Sequence, residues 1–457
     1  MQTDQFPMLD TLHYPALAER VRSQKSLQPL LYGEVDFGAQ PYRLATAPED
    51  ESSLPKWVAD RAPLLEDAGT VELISTGTML GDIVADPYAA LMAERPFKEL
   101  IEMLVLACRE GIEAVPDAPP ELGAFIASME ATPDWCDMDL VEEGARQARI
   151  PAAFLAPFLT RGVFVATFMN TYAALPMALT GALGGRKAAR RVNETASFFA
   201  VTTLPGALER YGLGFEAAAM VRLMHSMVRY NALKRSDRWD FDVYGIPIPQ
   251  VDQMPAGLIN IYLLAAKAVR EGRSEFTASE RTLVEFGRYR CFLLGLPEEL
   301  LPATVEETLH VMHTRAALLR DGFDDATCGE LVRATMDAYL PANDSPFDRV
   351  ADAVERSFSK AFFIRAFVNG DRKAAAAMGV SLSPGDVVRI AATAPFVIGR
   401  FLLVRAADDH VKPLRDTVDA FTIGVLKRRL ATYGNPEFTT DGEKYAPVHA
   451  SAPASVS

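Results

Sequence analysis

Cysteine is scarce in this chain. Cys108, Cys136, Cys291 and Cys328 are all that 457 residues contain, and no two form a Cys-x-x-Cys pair. That absence excludes zinc ribbons, thioredoxin-like redox sites and the Cys-x-x-Cys-His attachment of a c-type heme. Scattered thiols suit a reducing compartment better than a disulfide framework, so the cytoplasm is the expected location. Positive charge is also short: 46 Lys and Arg stand against 60 Asp and Glu, a net charge of −14. Such a chain lacks the basic face that neutralises phosphates, which argues against nucleic acid as a partner. The first residues, MQTDQFPMLDTLHYPALAER, show no basic region followed by an apolar run, so no signal peptide is visible. Gly-x-Gly-x-x-Gly and Gly-x-Ser-x-Gly are missing, and with them two common signatures of dinucleotide binding and serine hydrolysis.

What is present is helical. Hydrophobic residues make up 49% of the chain and charged ones 23%, enough for a core that can enclose a cofactor. Strand-like alternation is rare, and the 3.6-residue period dominates from about Trp57 onward. Thr277-Ala-Ser-Glu280 and Thr304-Val-Glu-Glu307 are capping boxes that open helices over 278–293 and 305–320. Further helices are expected at 98–112, 139–148, 152–183, 187–203, 215–234, 256–271, 325–338, 348–367, 384–406 and 411–432. Residues 1–60 are rich in proline and turn formers and read as an irregular arm. The organisation expected is an N-terminal arm with helices over 1–115, a core over 116–345, a helical extension over 346–435 and a disordered tail over 436–457. The stretch 162–185 carries no charge and is long enough to span a bilayer. Asn170, Thr171, Tyr172 and Pro176 interrupt it, so a buried core helix is the preferred reading. No second run matches it, and association with a membrane surface stays open.

The chemistry-bearing segment is 217–233, AAAMVRLMHSMVRYNAL. At about 100° per residue, Arg222, His225 and Arg229 share one face of this helix. Two guanidinium groups beside an imidazole, set among Met, Val, Leu and Ala, make a poor solvated surface. They make a good wall for an anionic planar ligand such as heme, with neutral imidazole for iron and arginines for propionates. On a second helix, Arg191, Glu194 and Thr195 stand at i, i+3 and i+4 and could face the histidine across a cavity, suited to acid–base handling of oxygen or peroxide. Plainer readings compete. His225 could be a buried hydrogen-bonded residue, and Glu194 could pair with Arg222 or Arg191 to fix helix register. His310 and His313 with Glu306 and Glu307 lack the second Glu-x-x-His that a di-iron site needs. The surroundings of Cys291 depart from a heme-thiolate signature at Tyr289 and Leu293.

Residues about 130–340 resemble the latex-clearing-protein/MpaB-like oxygenase family. The pieces carrying the resemblance are Thr132-Pro-Asp-Trp-Cys-Asp137, Arg191-x-x-Glu-Thr195, Arg222-x-x-His-x-x-x-Arg229 and Tyr244-Gly-Ile-Pro-Ile through Leu296-Pro-Glu-Glu-Leu300. Their joint order is more specific than any one of them. The resemblance implies an all-α, globin-like core that binds heme b, with helical extensions at both ends. It implies iron held by His225 with Arg222 and Arg229 beside it, and Arg191, Glu194 and Thr195 on the distal side. It also implies an oxygenase or peroxygenase-like enzyme using dioxygen or peroxide on an apolar small molecule. A departure matters: rubber-cleaving members are secreted and carry lysine where this chain has Glu194, so polyisoprene is not the expected substrate. A heme protein without turnover, for storage or sensing, and a heme-free helical binding protein are the alternatives.

Overall fold

The computed structural model describes residues 12–180 and 186–433. Among them there is no strand, only isolated bridges from Leu44 to Leu319 and from Ser52 to Arg320. The fold is all-α, as the periodicity predicts. The principal helices are α1 (Pro15–Leu27), α2 (Ala68–Thr78), α3 (Ala85–Ala90), α4 (Phe97–Glu110), α5 (Pro120–Glu130) and α6 (Met138–Phe154). Then come α7 (Thr160–Ala166), α8 (Thr171–Leu179), α9 (Arg186–Val201), α10 (Leu213–Arg235), α11 (Gln250–Arg270) and α12 (Ala278–Leu293). The chain closes with α13 (Val305–Leu318), α14 (Glu330–Asp337), α15 (Pro346–Ala366), α16 (Pro384–His410) and α17 (Arg415–Tyr433). Both capping boxes form: Thr277 and Glu280 start α12, and Thr304 and Glu307 start α13.

The largest core joins the N-terminal helices to α10, α11 and α12, and it includes Leu17 and Val21 of α1, both fully buried. The segment read as an irregular arm is therefore partly core. Its hydrophobic spacing is short and flanked by prolines, which hides a helix of thirteen residues. A second core gathers α7, α8, α14 and α15, and a third joins the end of α6 to α9 and α17. Helix α9 touches all of them through Phe198, Val192 and Ala200. Its position is thus fixed from three sides. Close helix contacts depend on glycine at two points. A Cβ on Gly144 of α6 would lie 2.0 Å from the Thr282 carbonyl of α12, and one on Gly162 of α7 would lie 2.4 Å from that of Ser359.

The single helix expected over 152–183 is not formed. Helix α6 ends at Phe154, and α7 and α8 are separated by a turn that Asn170 closes, its side chain accepting from the Tyr172 amide at 3.0 Å. Asn170 Nδ2 donates to Ser53 Oγ and to the Arg320 carbonyl, so the break is held by distant segments. Residues 181–185 of that apolar run lie outside the described residues, as does the tail expected at 436–457. Among the described residues, the helix that is by itself long and apolar enough to cross a membrane is α16. The sequence reading overlooked it because its arginines obscure the run.

Candidate cofactor site

His225 lies mid-way along α10, partly buried, and Nδ1 is 3.0 Å from Gln253 Oε1 on α11. Gln253 in turn donates through Nε2 to Gln250 Oε1 at 2.6 Å, and Gln250 donates to the Gly81 carbonyl at 2.9 Å. The amide chain has a direction. With its nitrogen engaged by Gln250, Gln253 presents its oxygen to the ring, so Nδ1 carries the hydrogen and Nε2 keeps the lone pair. Among the described residues, Nε2 has no hydrogen-bond partner. Burial, then the charge of Arg229, pulls the imidazole pKa down to about 4 despite the bond to Gln253, so the ring is neutral at physiological pH. A neutral imidazole, oriented through one nitrogen and open at the other, is the form that ligates a metal.

The arginines that share this helix are engaged elsewhere. Arg222 pairs with Asp82 through two nitrogens, Nη2 at 2.9 Å, and also reaches Ser128 Oγ at 3.1 Å. Arg229 donates to Asp86 from Nε at 2.8 and 3.1 Å, to the Ile248 carbonyl at 2.7 Å and to Ser226 Oγ at 3.1 Å. Asp82 precedes α3 and accepts from the Ala85 amide at 3.0 Å, and Asp86 accepts from the Tyr32 hydroxyl at 2.5 Å. All four charged groups are at least nine-tenths buried. Burial pushes the Asp82 carboxyl up, but Arg222 outweighs it and holds the group below its ordinary range. The geometry thus pairs Arg222 and Arg229 with carboxylates of this chain, which lock α10 onto α3. Sequence reasoning missed Asp82 and Asp86. The signal was there in Gly81-Asp-Ile-Val-Ala-Asp86, two acids at i and i+4 within an apolar run.

On α9, Glu194 accepts from Arg190 Nε at 3.0 Å and lies 3.7 Å from Arg191 Nη1. The Glu194–Arg191 pair that the sequence allowed is made. With Arg222 held by Asp82, the alternative pair to Arg222 is not. Arg191 sits close enough to His225 for its charge to help lower the imidazole pKa. Helices α9 and α10 pack directly, so the two sequence-derived clusters are neighbours. Thr195 is partly buried beside Glu194. Of the other histidines, His310 bonds to Asp67 at 2.6 Å, His313 to the Tyr262 hydroxyl at 3.2 Å and His13 to Glu72 at 3.0 Å. No cluster of metal-binding side chains occurs among the described residues. Cys291 is buried on α12, its thiol pushed up to about 11 by desolvation.

The family model described as ER-bound oxygenase mpaB/B'/Rubber oxygenase, catalytic domain, matches residues 154–432. That match runs beyond the C-terminal limit of the resemblance read from motifs and takes in α15, α16 and α17. No curated protein matches the chain. Among solved structures, latex clearing protein LCP in the closed state is similar with a TM-score of 0.52 and 17% identity, over 78% of this chain and 91% of that one. At that identity the likeness speaks for the fold.

Proposed function

This chain belongs to the mpaB and rubber oxygenase catalytic-domain family, and on that premise we propose that it is a heme-b-dependent oxygenase whose iron is held by His225. The observation carrying this reading is the His225–Gln253 bond, which leaves Nε2 with a lone pair and no partner among the described residues. The donor set fits the group: an uncharged imidazole suits heme iron, and the Gln250–Gln253 chain gives it the outer support that ligating histidines usually have. Bound heme would supply the redox centre that reacts with dioxygen or peroxide.

The remaining chemistry belongs to the chain. Glu194 is the proton carrier, holding a proton at a carboxylate oxygen and returning it to the reacting oxygen species. Arg190 and Arg191 pair with its carboxylate, and Arg191 offsets developing negative charge. Thr195 lines the same face. Arg222 and Arg229 keep α10 in place through Asp82 and Asp86. We assign an apolar small molecule as substrate, because these charged side chains are already paired within the protein and leave no counter-ion for a charged one. Unpaired Cys108, Cys136, Cys291 and Cys328 support a reducing, cytoplasmic setting.

The test is a visible spectrum of protein from heme-sufficient cells, beside His225→Ala. We expect a Soret band in the native chain and its loss in a variant with unchanged far-UV circular dichroism. Full heme occupancy in His225→Ala would remove His225 as ligand. Bound heme with no consumption of dioxygen or peroxide across apolar substrates would favour storage or sensing.

A further inference from the structure

The polarity of α16 is unusual for a surface helix. Its inner side packs on the body: Val397 against Val354 and Phe358, with Phe401 and Val404 in the third core. A surface helix normally turns a polar face outward. Here Val388 is 67% exposed, Phe396 66%, Leu402 55% and Leu403 75%. With Ala392, Pro395 and Gly399 between them, these residues recur at i+3, i+4 and i+7 and fall on one stripe. The stripe carries no charge from Val388 to Ala406, a length of roughly 27 Å at 1.5 Å per residue. A Cβ added at Gly399 would meet nothing within 4 Å, so this side is open. Only 6% of the most apolar stretch is buried.

Charge selects what covers it. Residues 384–433 hold eight Lys and Arg against five Asp and no Glu, in a chain of net −14. Asp386, Asp408 and Asp419 are neutralised inside the protein by Arg389 and Lys360, by Arg146 and by Arg149. Arg405 and Arg415, exposed by 59% and 46%, flank the apolar surface; they pair with Asp409 at 3.5 Å and with Glu143 at 2.7 Å, exposed ion pairs that are weak and leave both guanidinium groups within reach of a further anion. We propose that α16 is a docking surface for an anionic lipid bilayer, lying in the interface with its outer stripe among the acyl chains while its inner side stays on the protein. Crossing the bilayer is excluded by that inner packing, which would have to be given up. A second copy of the chain is a poorer fit, since it would set the same excess of positive charge over 384–433 against itself. Apolar residues at the headgroup boundary and arginines against anionic headgroups are what such an interfacial helix uses. The inference does not depend on the cofactor reading.

The experiment is flotation of the purified full chain with phosphatidylcholine vesicles, with and without about 30% phosphatidylserine. We expect binding that rises with the anionic lipid and weakens by a few-fold or more at about 0.5 M salt. Leu402→Asp/Leu403→Asp changes two exposed side chains, and it should cut binding at least about tenfold while leaving the thermal melt in place. Wild-type protein that stays out of the vesicle fraction overturns the proposal, and so does a double variant that floats like wild type. A detergent-free dimer at micromolar concentration that the double variant dissociates, without vesicle binding, assigns the stripe to a second copy instead.

Discussion

Gln253 determines which nitrogen of His225 is free, and that makes it the residue whose replacement is most informative. Gln253→Leu removes the acceptor for Nδ1–H and lets the ring turn. Hemin titrated into apoprotein should then bind roughly 10- to 100-fold more weakly, the usual cost of losing an outer-shell partner. Unchanged affinity with an unchanged spectrum would remove Gln253 from the site. Glu194 carries the second residue-scale expectation. Glu194→Gln keeps shape and hydrogen-bonding capacity but not basicity, so heme content should hold while reaction with peroxide slows by roughly 10²-fold. A wild-type rate would reassign Glu194 to a structural pair with Arg190 and Arg191. Asp86 shows a different kind of dependence. Removing it in Asp86→Ala strands Arg229 in the interior, and urea unfolding should report a loss of about 3–5 kcal/mol. Removing Asp344, whose partner Arg349 is exposed, should barely move the same transition. His225 stood out as a candidate because it interrupts an apolar helix, and Arg191 and Glu194 because their spacing puts them on one face; the structure brings their two helices into contact. Asp82, Asp86 and Gln253 were not, because their meaning lies in partners 140, 143 and 28 residues away.

Helices were readable where their ends are chemical. The Thr277–Glu280 box is visible in four residues, and the start of α12 follows from it without tertiary information. Glu280 does more than cap. It accepts from Arg273 at 2.8 and 3.0 Å and from Lys267 at 2.9 Å. Burial pushes its carboxyl up, but the bond from Arg273, the Thr277 amide and Lys267 bring it to about 2. A folded-state pKa below the unfolded one gives stability that is complete above about pH 4.5 and lost as pH falls towards 2. Glu280→Gln should therefore cost about 2 kcal/mol at neutral pH and progressively less in that acid window, read as denaturant midpoints against pH. A constant difference down to pH 2 would deny the carboxylate that role. The break between α7 and α8 shows the opposite case. Its local signal is one asparagine in an uncharged run, and what makes Asn170 a cap is Ser53 and Arg320 arriving from elsewhere.

At the scale of the whole molecule, composition and period sufficed for the all-α class, while contacts between distant helices cross the boundary expected at 345. A core confined to 116–345 would leave α16 and α17 as an appendage. The packing argues against that. Leu426 of α17 is fully buried against α6 and α9, and Arg149 of α6, itself 2% exposed, pairs with Asp419 of α17. Arg146 reaches Asp408 of α16 in the same way. The family match to residue 432 follows the same line. Cutting the chain after residue 345 would expose the third core along α9, the helix that carries Glu194, and take Asp408 and Asp419 from two α6 arginines, which would keep only Glu143 and Glu142 as partners. The lost apolar burial and the lost ion pairs together amount to several kcal/mol, comparable with the total stability of a typical domain. We therefore expect a 1–345 chain to lose cooperative unfolding and heme retention together, while the chain ending at 433 keeps both. Differential scanning calorimetry and the Soret band read the two properties on one sample. A 1–345 protein with a sharp transition and full heme would show that the C-terminal helices are an addition rather than a wall of the site.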